Sequence, residues 1–170
     1  MGDDNIKDRE FESIVSDILY SDEFVKTKNI VHHGLNRYDH SIRVAYISYR
    51  ISKALGLSYE EVARGGLLHD FFLIDNNNIS LKERALTLII HPKYALRHSE
   101  KYFDLTPMEK DIIVSHMFPV APTRVPKYLE SWIVDLVDDV VSIVEELKAK
   151  KKTFVRFVNY VTASMVKYED

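Results

Sequence analysis

The sequence predicts an all-α fold, and three observations predict it. Apolar residues recur at three- and four-residue spacing along most of the chain, which is the period of a helix face. No strict apolar/polar alternation lasts more than a few residues, so no half-buried strand is indicated. Capping residues, prolines and glycines fall at the ends of the periodic segments.

The spacing places helices near residues 7–20, 39–55, 59–70, 93–103, 107–116, 126–148 and 152–168. Gly56 closes the second of these and Ser58 caps the third. The third ends in the apolar run Gly65-Gly66-Leu67-Leu68, followed by His69-Asp70 and then a segment containing Asn76, Asn77 and Asn78. Pro92 opens the fourth helix. Thr106-Pro107-Met108-Glu109 opens the fifth as a capping box with proline at the first helical position. On the sixth, Ile133, Leu136, Val137, Val140, Val141 and Val144 form the apolar stripe. The basic cluster at residues 148–152 reads as its solvated end, with Glu146 supporting Lys150. Phe154, Phe157, Val158, Val161 and Met165 give the last helix its own spacing, suited to packing on the same domain or on a second copy in a homo-oligomer.

Composition bounds the function. A chain of 170 residues with 46% hydrophobic content, no repeat and no Pro/Gly/Ser-rich linker is expected to form one domain over 1–170. The formal charge of -3 argues against a partner that is a long nucleic acid, whose phosphates need a basic face. The longest apolar run, 132–147, is broken by Asp135, Asp138 and Asp139, so no membrane span is expected. The N-terminus, Met-Gly-Asp-Asp, lacks the form of a signal segment. With no cysteine, any metal must be held by nitrogen and oxygen ligands, and a reducing, cytoplasmic location is the expectation.

His69-Asp70 places two metal-capable side chains at one helix end. His40 stands at the start of an earlier helix, His91 just before the Pro92 helix, and His116 at the end of the Thr106 helix. Side chains at helix termini can converge at one end of a bundle. The remaining ligand should be a carboxylate. At about 100° per residue Asp135 falls opposite the apolar stripe, while Asp138 and Asp139 sit on its two edges. A carboxylate at a buried boundary is costly unless paired or coordinating, which favours Asp138 or Asp139 without choosing between them.

The ordered set His40, Leu67-Leu68-His69-Asp70 and Leu136-Val137-Asp138 resembles the HD-domain metal-dependent phosphohydrolase superfamily. The segment Tyr38-Asp39-His40-Ser41 is similar to the one carrying that family's first histidine, and His91-Pro92 and His116 resemble the two extra histidines of its dinuclear members. Residues 32–34, 66–73, 116–119 and 130–134 look like a group of small bacterial HD proteins. The resemblance spans roughly 32–145, which implies an HD-domain helical bundle with N- and C-terminal helices packed on it. It selects Asp138, and it implies that His40, His69, Asp70 and Asp138 hold one metal and that Asp70, His91 and His116 hold a second, with Asp70 bridging. One departure is that Phe71-Phe72-Leu73-Ile74-Asp75 stands where HD-GYP proteins and dinucleoside tetraphosphate hydrolases carry a lysine. No Gly-Tyr-Pro follows His116, and Met117 stands where HD-GYP proteins have a second histidine.

Nitrogen and oxygen ligation suits one or two divalent ions of Mn, Fe, Co, Ni or Zn. The expected activity is hydrolysis of a phosphate ester or anhydride of a small metabolite, a nucleotide by expectation, by metal-activated hydroxide. The alternatives are a dinucleoside polyphosphate or cyclic-dinucleotide phosphodiesterase, or a silent nucleotide-sensing module. Arg37 and Arg43 flank His40 and are candidates for the phosphate, with Arg37 assisting catalysis. Lys127 and Arg124 follow as weaker choices. His33 is a candidate substrate contact in the loop before His40, Asp75 a candidate proton donor, and Phe118 a candidate base-stacking side chain. His98 reads as a surface residue.

Overall fold

The Asp8 carboxylate accepts hydrogen bonds from the backbone of Glu10 and Phe11 and so opens α1, Arg9–Leu19. Phe11, Val15 and Ile18 then recur at helical spacing and are buried. The computed structural model describes residues 8–32, 35–73, 81–122 and 124–166. After α1 come a single turn, α2 (Asp22–Val25), a 3-10 turn (Lys26–Asn29), and a short antiparallel hairpin of β1 (Val31–His32) and β2 (Leu35–Asn36). The long helices follow: α3 (Arg37–Ala54), α4 (Tyr59–Leu68), α5 (Leu81–Tyr102), α6 (Pro107–Ser115) and α7 (Leu129–Val166). The fold is all-α, as the spacing predicts. No described helix is long and apolar enough to cross a membrane.

Local chemistry sets the ends that later carry the site. The Asn36 side chain accepts from the Asp39 backbone and starts α3. Gly56 closes the α3 exit at a φ of 69°, a conformation that costs other residues a Cβ clash. Thr106 and Glu109 exchange both hydrogen bonds of the predicted capping box at α6.

Helix α4 lies between two apolar clusters. On one side Leu67 and Leu68 join Phe11, Ile18, Phe24 and Tyr49; on the other Val62 meets Val44, Ile112, Val134 and Val141. The contact between α3 and α4 is close at Gly66, where a Cβ would stand 3.0 Å from the Cα of Ala45. Backbone cannot rotate aside as a side chain can. Gly66→Ala is therefore expected to destabilise the fold by about 1–2 kcal/mol, although alanine's helix propensity alone would favour it by roughly 1 kcal/mol. Urea denaturation of the variant beside the wild type checks this.

Three expectations are corrected by the structure. Pro92 lies inside α5 rather than at its start; it removes one backbone donor from the ladder without ending the helix. The two helices expected at 126–148 and 152–168 are one, α7, of 38 residues, because nothing between them breaks helical geometry. The α7 stripe is also different from the one expected. Leu136, Val140 and Val144 are exposed at 59%, 60% and 41%, while Asp135 is buried at 3%. The helix carries apolar residues on two faces, and the one against the body is studded with Asp135, Asp138 and Glu145.

Candidate metal centre

The six side chains that the sequence nominates for the metal come from five different helices or helix ends. His40 lies in the first turn of α3, His69 caps the C-terminus of α4 with Asp70 next to it, and His116 caps the C-terminus of α6. His91 lies within α5, one residue before Pro92, and Asp138 lies on α7. The structure brings all six together and buries them.

Hydrogen bonds on the outer edge of each imidazole fix what its inner edge offers. His69 Nδ1 donates to the Gly66 carbonyl at 2.7 Å, His91 Nδ1 to the Thr87 carbonyl at 3.0 Å, and His116 Nδ1 to the Ile113 carbonyl at 2.8 Å. A carbonyl can only accept, so in the neutral ring each Nε2 carries a lone pair. His40 Nδ1 is bonded in the same sense to Glu145 Oε2 at 2.9 Å. Four Nε2 atoms therefore point inward, toward one another and toward two carboxylates.

That inner surface is electrostatically unsatisfied by protein alone. His91 Nε2 and His116 Nε2 stand 2.9 Å apart, lone pair against lone pair. They lie 3.3 and 3.7 Å from Asp70 Oδ1. His40 Nε2 is 2.9 Å from Asp138 Oδ1, and His69 Nε2 is 3.6 Å from the same oxygen. The fully buried His69 Nε2 has no hydrogen-bond partner among the described residues. Two sets have ligand atoms mutually within 4.8 Å: His40, His69 and Asp138, and His69, Asp70 and His116. The donor set is nitrogen and oxygen throughout, without thiolate, and fits one or two divalent cations.

The protonation tendencies of the metal-free site reflect this. Burial resists a charge on His40, but its hydrogen bonds to Asp138 and Glu145 outweigh burial and raise it to about 10. Burial likewise opposes a charge on His69, and Asp138 raises it. Burial, with the neighbouring His69 and His91 rings, pushes His116 down to about 3. Asp138 is held well below the usual carboxylate range; burial works against this, and His69 and His40 outweigh it. In the absence of an ion, protons crowd onto one side of the site.

Glu145 is the functional residue that sequence reasoning missed. One of its oxygens receives His40 Nδ1 and the other the Arg43 guanidinium, so a carboxylate orients the imidazole from behind. Its spacing of seven from Asp138 puts both on one face of α7, a signal the sequence did contain. Arg43, nominated for substrate, is thus held on Glu145.

Arg37 is also placed differently from a loop arginine. It opens α3 and is 1% exposed, with its Nε 3.6 Å from Asp70 Oδ2. Its Nη1 donates to the Phe72 carbonyl at 2.6 Å, and its guanidinium lies 3.7 Å from the Phe72 ring centroid. These contacts aim it at Asp70. Phe118 stands edge-on to Trp132, and its backbone N–H donates to Asp135, whose carboxyl is pushed up to about 7 chiefly by burial. Lys127 is exposed, and its backbone N–H is bonded to Asp111. His98 is half-buried, edge-on to Phe71. His33 and Asp75 lie outside the described residues.

Beside Phe72, whose ring also packs on His91, a groove of about 340 Å³ is lined by Phe72, Leu73, Tyr94, Arg97, His98 and Lys101. Its Tyr94, Arg97 and Lys101 lie outside the residues that the sequence nominates.

A family model described as HD domain matches residues 37–150, the stretch that holds all six clustered side chains. No curated protein and no solved structure matches the chain.

Proposed function

The chain belongs to the HD-domain family, whose members are generally metal-dependent hydrolases, and from that premise we propose a phosphohydrolase acting on a small phosphorylated metabolite of nucleotide type. The observation that carries the reading is the convergence of four imidazole Nε2 atoms on Asp70 and Asp138. His40, His69 and Asp138 would hold one ion and Asp70, His91 and His116 the other, with Asp70 shared. When bound, such ions lower the pKa of water and take up charge on phosphoryl oxygens.

The chain's own residues prepare that chemistry. Backbone carbonyls and Glu145 hold the outer nitrogens of the four rings, so each ring is oriented with Nε2 inward. Asp70, Asp138 and Glu145 face Arg37 and Arg43, which leaves one surplus negative charge with neutral imidazoles. Divalent cations reverse that sign and make the centre attractive to a phosphate. Arg37 Nε faces Asp70 Oδ2, while Oδ1 of the same carboxylate faces His91 and His116.

The nucleotide reading is supported by the neighbouring groove. Tyr94 offers an exposed ring, and Arg97 and Lys101 offer charge for the phosphate not being cleaved. Arg97→Ala is expected to raise KM about tenfold, roughly 1.4 kcal/mol, with kcat and metal content little changed. Steady-state kinetics with metal analysis of the same sample check it.

The direct test is a screen. Protein purified without chelator and supplemented with Mn, Fe, Co, Ni or Zn is assayed on phosphomonoesters, nucleoside mono- to triphosphates, dinucleoside polyphosphates and cyclic dinucleotides. The proposal expects metal-dependent release of phosphate from one of the nucleotide classes. Metal uptake with no turnover of any class would favour a silent sensing module instead.

A further inference from the structure

Helix α7 carries an apolar seam that the fold leaves uncovered. Leu136, Val140, Ile143 and Leu147 follow one another at steps of four, three and four, and each is about 60% exposed. The opposite face, with Val134, Asp138, Val141 and Glu145, is the one that packs on the body. Past the buried Glu145, residues 146–148, 150–153, 155 and 156 are exposed and Ala149 is half-buried, while the backbone runs on as helix to Val166. At 1.5 Å per residue α7 extends about 57 Å, well past the roughly 30 Å of a small domain.

Charge is segregated along the same helix. Residues 129–147 carry Glu130, Asp135, Asp138, Asp139, Glu145 and Glu146 and neither lysine nor arginine. Residues 148–156 carry Lys148, Lys150, Lys151, Lys152 and Arg156 and no acid. The seam crosses the boundary between the two stretches.

We propose that the seam is covered by α7 of a second copy of this chain, running antiparallel. Side by side in the same direction, two such helices would set acid against acid and base against base. Reversed, with the two-fold axis near residue 145, the acidic stretch of each copy faces the basic stretch of the other. Ile143 then packs on Leu147 of the second copy and Val140 on the stem of Lys150, while Asp139 lies across from Lys150 and Lys151. The site faces inward from the other side of α7, so the pairing leaves it open.

The cysteine-free chain makes the arrangement readable by cross-linking. Sedimentation equilibrium of the full chain is expected to give a dimer, weakened by high salt, and Ile143→Glu is expected to raise its dissociation constant about 100-fold or more with metal content and helicity unchanged. A mixture of Val140→Cys and Lys150→Cys chains, one carrying a size tag, is expected to form the mixed disulfide, and Val140→Cys alone none. Cross-linking of Val140→Cys to itself would establish a parallel pair and overturn the proposal. So would a wild-type monomer at all concentrations, or an Ile143→Glu chain that dimerises as well as wild type.

Discussion

Asp70→Ala is expected to lower kcat/KM by at least about a thousandfold, roughly 4 kcal/mol of lost transition-state stabilisation. The carboxylate stands where the two halves of the site meet. Its Oδ1 is 3.3 Å from His91 Nε2 and 3.7 Å from His116 Nε2, and its other oxygen faces Arg37. Removing it takes away an anion that both proposed ions share and leaves the Arg37 guanidinium buried against a site it then repels. Metal per chain is expected to fall from two toward none. The fold should survive, because Asp70 lies just past the end of α4 and fills neither apolar cluster. Single-turnover kinetics, metal analysis and circular dichroism on one preparation separate lost chemistry from lost structure.

Asp138→Asn is expected to be nearly as severe for turnover but different in its metal and pH signatures. Asp138 serves the half of the site made by His40 and His69, so one ion is lost and the half made by His91 and His116 is kept. In metal-free protein Asp138 also pairs with a protonated His40. The His40 pKa is raised to about 10 in the folded chain, against 6.5 for the free side chain. Its contribution to stability is therefore full below about 6.5 and disappears as pH rises toward 10. Asp138 is depressed, so its own contribution holds above the free carboxylate value and fades as pH falls below it. With chelator present, wild-type stability should decline between pH 6.5 and 10, and Asp138→Asn should flatten that decline. Saturating metal should remove the decline too, since an ion needs the neutral imidazole.

The parts of the site that sequence made legible are those set by helix ends. His40, His69 and His116 sit beside an Asn36 cap, the end of a Gly-Gly-Leu-Leu run and the end of a capping-box helix, and local signals mark all three. His91 was harder to place because Pro92, a strong start signal, lies inside α5 where the chain continues helical without that donor. On α7, periodicity found apolar residues but not the face that is buried, since one face serves the body and the other lies open. That ambiguity hid Asp135 and Glu145, whose burial depends on partners 17 and 105 residues away. Arg37 reads as a loop cation from sequence because nothing local shows that Phe72 covers it. The groove beside Phe72 is built by residues on α5 and the segment after Asp70, and only the tertiary fold joins them.

The four inward imidazole nitrogens and the two carboxylates are proposed to form one dinuclear site. Its most direct test is the divalent metal content of wild-type chain purified without chelator and dialysed after supplementation. The expected result is two ions per chain, one after His91→Ala, and neither displaced by simple dialysis. A wild-type chain that retains only a trace of every metal offered would contradict it.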